Sequence, residues 1–234
     1  MKPAHLLMVV FGAQLAFNAP AAAEPTTGSR LDRVPLSVKA PAKIDQNAAI
    51  RTLNGFSRCY ARQNKLAARK ILALPFAGSE QSDALAKDVG GVDECMGLNT
   101  GLTLKAPPSA MIGGMAEQLV LDDYAKADVS GFGSVSDEQL EAAGLSPRNG
   151  NEDMALCLVR KDPAAARALI DSTPAGEEEA KQVQRFIPHL SECVPQGLTL
   201  TLNKSAIRAH TSVALYRLLS NTNGGAALAS SARN

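Results

Sequence analysis

The sequence predicts a mainly α-helical protein made of two duplicated, disulfide-closed helical units. Three observations lead there. Alanine and leucine are abundant and long β-branched runs are missing, which favours helices with small interface residues over a sheet. The chain aligns with itself at an offset of 98 residues. Its four cysteines, Cys59, Cys95, Cys157 and Cys193, occupy equivalent positions in the two copies.

Residues 1–23 read as an export signal. Lys2 supplies a positive start, an apolar stretch runs from Leu6 to Phe17, and Ala21-x-Ala23 fits the small-residue rule for cleavage, which places the cut before Glu24. The stretch is short of the roughly 20 residues that span a bilayer, and no second one of that length follows, so no transmembrane span is expected in the mature chain. The first cysteine, Cys59, lies far from the cut, which removes an N-terminal lipid anchor. The compartment expected is the periplasm or the exterior. Residues 24–43, rich in Pro, Thr, Ser and Lys, are expected to form a flexible leader, with a short extended piece at Arg33–Val38.

The first repeat spans 44–126. Asp45 or Asn47 caps a helix expected to run to about Leu74, where Leu53, Phe56, Tyr60, Ala67, Ile71 and Leu74 share one face. Arg51, Arg58, Arg62, Lys65 and Arg69 fall on the other side. Pro75 ends the helix and Gly78 offers the left-handed turn. A second helix follows Ser79 to about Asp93, and a third runs from about Ala110 to Lys126, with Gly113 and Gly114 either weakening it or allowing close packing.

Residues 127–150 read as a connector, in which Ser136 and Gln139 form a capping box for a short helix ending before Gly144. The second repeat spans 151–220. A helix at Asn151–Arg160 gives way at Asp162-Pro163, an N-cap and first helical residue, to a new one ending at Asp171. Glu177–Leu190 is a further helix that Pro188 is expected to end early, and Ser205–Ser220 is the last, with Ile207, Thr211, Ala214 and Leu218 as its apolar stripe. The LTL pieces at 102–104 and 200–202 leave room for a tiny two-stranded element. Residues 221–234 read as a disordered tail.

At the 98-residue offset, positions 59–121 carry 15 identities out of 63, among them Arg62 with Arg160, Ala77-Gly78 with Ala175-Gly176, and Glu94-Cys95 with Glu192-Cys193. Each cysteine pair is 36 residues apart, with the breaker near Ala77 at the midpoint of the first. A helical hairpin turning there brings its open ends together, so the repeat selects bonds Cys59–Cys95 and Cys157–Cys193 from the three connectivities. An oxidising compartment sustains such bonds. A four-cysteine metal site would want Cys-x2–4-Cys pairs, and redox catalysis a close Cys-x-x-Cys pair; neither is present.

Functional signals are sparse. Removing Lys2 leaves 23 basic and 23 acidic residues in the mature chain, so no nucleic-acid partner is expected. Tryptophan is absent and tyrosines number three, which leaves few faces for stacking bases or sugars. The basic face of the first helix is the best local signal, with Arg51, Arg58, Arg62, Lys65 and Arg69 as candidate contacts to an anionic surface or an acidic partner. Asp122, Asp123 and Asp128 lack the calcium-loop spacing. His189 and His210 occur in the second copy alone and have no nucleophile at a telling distance. No phosphate loop, nucleophile elbow or HExxH pair occurs, and no cofactor is expected.

The segment CLVRKDPAAARALI at 157–170, the PAGEE turn at 174–178 and the EC…LTL pattern through Leu202 resemble exported tandem-repeat proteins of alphaproteobacteria, of the Sphingomonas kind. No activity or binding residue is established for that family, so the resemblance implies the compartment and the repeat and nothing further. The function expected is a non-catalytic exported or periplasmic interaction or structural protein, its partner an envelope protein or an anionic surface. The alternatives are a small-ligand or lipid carrier and an enzyme of unassigned class.

Overall fold

A computed structural model describes residues 45–89, 93–96, 106–194, 196–197 and 202–221, and helices cover 78% of them. Nine α-helices follow in order among the described residues: α1 Gln46–Gln63, α2 Lys65–Ala73, α3 Ser79–Val89, α4 Pro108–Asp123, α5 Asp137–Ala142, α6 Gly150–Lys161, α7 Pro163–Asp171, α8 Glu177–Cys193 and α9 Lys204–Asn221. Short 3-10 turns occupy Asp93–Met96 and Ser130–Ser134. No strand occurs among the described residues, and the LTL pieces at 102–104 and 200–201 lie outside them, as do the leader and the tail beyond Asn221.

The centre of the fold is the contact between α4 and α9, with α1 against α4 on one side and α6 against α9 on the other. Both central helices are buried all round, as an amphipathic helix is not. On α4 this covers Ile112 to Val120; on α9 it covers Ile207 to Leu219. The single apolar stripe expected on α9 is therefore corrected: neighbours cover every face. Gly113 and Gly114 explain the approach. A Cβ on Gly113 would stand 2.5 Å from Ala209 Cα, and one on Gly114 would stand 2.6 Å from Ser57 Cβ, so α4 meets α9 and α1 through glycine.

The helix expected from Asp45 to Leu74 breaks at Asn64, whose backbone leaves the helical region at φ −122°, ψ 49°. Asp162 occupies the same place between α6 and α7, so α2 and α7 are offset by 98 residues at both ends. Asp45 caps α1, Asp162 caps α7 through the Ala165 amide, and the Ser136–Gln139 capping box forms as expected. Pro188 does not end α8, which continues to Cys193. The left-handed residue after α2 is Ala77 (φ 57°), and the one after α7 is Ala175 (φ 55°), in place of the glycines that follow them. Gly78 and Gly176 serve closeness: a Cβ there would meet the Pro75 carbonyl at 3.0 Å and the Thr173 carbonyl at 2.9 Å.

Disulfides join Cys59 to Cys95 and Cys157 to Cys193, with Cα atoms 5.6 and 5.4 Å apart. Residues between α4 and α6 send Val129, Phe132, Val135, Leu140 and Leu145 into the same core as the helices on both sides.

Candidate functional site

Three basic residues of α1 and α2, Arg58, Lys65 and Arg69, meet acids brought by α4. Arg58 reaches inward to Glu117, at 2.7 Å from Nη2 and 3.2 Å from Nε. Arg62 donates to Gln118 at 3.3 Å. Lys65 lies 3.1 Å from both Asp122 and Asp123, and Arg69 bonds Asp123 at 2.8 Å. Arg51 stands apart, 3.9 Å from Asp45. The five expected contacts are therefore divided: four line the seam with α4, and Arg51 lies beyond it. The lysine and Arg69 hold the Asp123 carboxyl below its ordinary range, against the opposing effect of partial burial. Asp128, whose spacing from Asp122 and Asp123 does not fit a calcium loop, turns back on Ser130.

Among the described residues two ionic centres lie inside the fold, and neither has a local sign in the sequence. In the first, Glu117 is 1% exposed. It accepts two bonds from Arg208, at 2.7 and 2.9 Å, besides those from Arg58, and a further one from Asn54 at 3.0 Å. Arg208 continues to the Ser172 hydroxyl and carbonyl, each at 3.1 Å, and its Nη1 stands 3.6 Å from the buried carboxylate of Glu179. That carboxylate accepts the Ala175 amide. One cluster so ties α1, α4 and α9 to the turn between α7 and α8. Two arginines face two carboxylates, which removes the cost of an unpaired buried charge.

In the second centre, Glu152 accepts the Phe76 amide at 2.6 Å, the Arg148 amide at 2.8 Å and the Arg148 guanidinium at 3.0 Å, and pairs with Arg217. Burial alone would raise its carboxyl; donation from Arg148, the Phe76 amide and Arg217 outweighs that and holds it at about 2. The same arginines close the C-terminal end of α2. Arg148 donates to the Ala73 and Leu74 carbonyls at 2.7 and 2.9 Å, and Arg217 to the Leu72 carbonyl at 3.1 Å and to that of Leu74. These are carbonyls that a helix end leaves without intrahelical partners.

His210 on α9 is 7% exposed. Its Nδ1 donates to the Ala206 carbonyl at 2.6 Å, and its ring meets Phe76 edge-on at 4.9 Å. Burial lowers its pKa, against the opposing effect of the bond to the Ala206 carbonyl. The void beside it, about 10 Å³, has room for a single water at most.

A larger cleft of about 380 Å³ opens on the other side of Arg217. Arg69, Arg148, Tyr216, Ser220 and Asn221 line it together with the buried Leu72, Leu145 and Leu156. Of its arginines, Arg69 alone belongs to the basic face expected from the sequence, because Arg148 and Arg217 come from segments with no basic periodicity of their own. No helix among the described residues is long and apolar enough to cross a membrane, and no cluster of His, Cys, Asp or Glu suited to a metal ion occurs among them. No family model, no curated protein and no solved structure matches the chain.

Proposed function

We propose that the chain is an exported, non-catalytic interaction or structural protein of the periplasm or exterior, assembled from two copies of one ancestral helical unit. The observation that carries this reading is the pair of disulfides with identical 36-residue spacing. Bonds of that kind persist in oxidising compartments. The 98-residue offset of α2 and α7, and of the left-handed residues Ala77 and Ala175, supports a common origin for the halves. The buried charges support a structural role. Glu117, Glu152, Arg208 and Arg217 each spend their hydrogen bonds on other parts of the fold, which suits struts better than groups held ready for chemistry. Because α4 supplies acids to most of the basic face, the partner favoured is an envelope protein and not an anionic surface.

Mass analysis of the protein recovered from periplasm and medium tests the compartment. A chain beginning at Glu24 with both cross-links intact is the expected result; a cytosolic chain retaining Met1 and four free thiols overturns it. Cross-linking of the oxidised mature chain in envelope extract tests the role. A saturable partner that is lost on reduction of the disulfides is expected, and turnover of a substrate by the purified chain overturns it.

A further inference from the structure

We propose that the cleft beside α9 binds a small organic anion bearing a carboxylate or a phosphate. Three arginines reach it from separate places: Arg69 on α2, Arg148 just before α6, and Arg217 on α9. Their directly paired carboxylates are two, Asp123 for Arg69 and Glu152 for the other two, so the wall keeps one positive charge. The side chain of Arg217 is 10% exposed and that of Arg148 40%, while that of Arg69 is 47% exposed. Arg148 and Arg217 are locked by Glu152 and by the carbonyls at the end of α2 before any ligand arrives. A donor fixed in advance loses little freedom on binding. Arg148 and Arg217 give most of their N–H groups to Glu152 and to the end of α2, so what they bring to the cleft is chiefly fixed positive charge, and Arg69, the most exposed of the three, is the arginine placed to meet a carboxylate or phosphate directly.

The rest of the lining suits a metabolite-sized occupant. About 380 Å³ falls within the roughly 300–1,000 Å³ typical of small-molecule sites. The Tyr216, Ser220 and Asn221 side chains offer polar contacts beside the arginines, and leucines form an apolar floor for the ligand's carbon skeleton. The site is independent of the non-catalytic reading of the whole protein, since binding requires no chemistry.

Isothermal titration of the oxidised protein at low salt with citrate, with inorganic phosphate and with neutral glycerol tests the proposal. One site per chain is expected for citrate or phosphate, none for glycerol, and the stronger of the two anions identifies the headgroup. Arg69→Gln should weaken that binding about tenfold, and Ser220→Glu, which places a carboxylate in the cleft, should abolish it. Arg51→Gln, outside the cleft, should leave it unchanged. Circular dichroism and thermal midpoints establish that each variant folds. Absence of saturable binding by both anions, or equal affinity in Arg69→Gln, Arg51→Gln and the parent, would refute the site.

Discussion

Replacing Glu152 by glutamine asks how much of the fold's stability hangs on one buried carboxylate. The variant keeps the shape and mimics the protonated acid. The folded structure holds the Glu152 carboxyl at about 2, against an ordinary value of 4.5. At ~1.4 kcal/mol per unit that gap is worth about 3 kcal/mol at pH 7. The sign follows from the depression: the contribution is fully present above the unfolded value and is lost as pH falls through the folded one. At pH 3 the remaining difference is about 1.4 kcal/mol, and at pH 2 it is under about 0.5 kcal/mol. Urea unfolding of the parent and Glu152→Gln at pH 7, 3 and 2, with the disulfides intact, reads the difference directly. Other carboxylates titrate in both proteins and cancel. A variant within about 0.5 kcal/mol of the parent at pH 7, or a difference that does not shrink on acidification, would show that Arg148, Arg217 and the Phe76 amide do not act on Glu152 as described.

Three further outcomes follow from other parts of the fold. Replacing Cys157 and Cys193 together by alanine should cost about 4 kcal/mol in the chain-entropy account of a 36-residue loop, seen as a lower urea midpoint. Gly113→Ala should destabilise by about 1–3 kcal/mol, because its methyl would meet the backbone of α9 and not a movable side chain; a neutral effect in thermal melts would place α4 and α9 further apart. Glu117→Gln should cost about 3–5 kcal/mol by leaving Arg208 underpaired, and replacing Glu117 and Arg208 together by hydrophobic residues of similar volume should recover much of that loss only when Glu179→Gln is added, because Glu179 otherwise keeps a buried charge with no partner.

What was legible in the sequence was local. Caps at Asp45, Ser136 and Asp162 act within three residues, and the breakers at Pro75 and Pro163 act on their own turn, so each could be read in place. The cysteine pairing was legible because the two cysteine pairs share one 36-residue spacing. The break at Asn64 was missed although the offset sets it on Asp162, where Pro163 makes the same break plain. The seam between the basic face and α4 was missed for a different reason. Arg58 and Glu117 are 59 residues apart, and Glu117 and Arg208 are 91 apart, so no periodicity connects them. Pro188 misled because a proline removes one amide bond, and the packing of α8 against α6 and α7 outweighs that loss.

The two halves also show why a motif that repeats in sequence need not repeat in chemistry. At the 98-residue offset Gln81 falls on Glu179, and both side chains accept the amide of the left-handed alanine before them, Ala77 or Ala175. Gln81 has a second duty: its Nε2 donates to the Ile71 carbonyl at 3.0 Å. A carboxylate has no hydrogen to give, so Glu179 cannot serve the equivalent carbonyl of Leu169. Ser172 serves it instead, donating its hydroxyl at 2.7 Å. The charge that glutamate brings to a buried place also needs an opposite one, and Arg208 stands 3.6 Å away. Arg208 in turn requires Glu117. A difference of one functional group, amide against carboxylate, thus runs through a serine and an arginine to a glutamate on α4. The ionic centre belongs to the second half's turn and the first half's helix together, which binds the halves into one core.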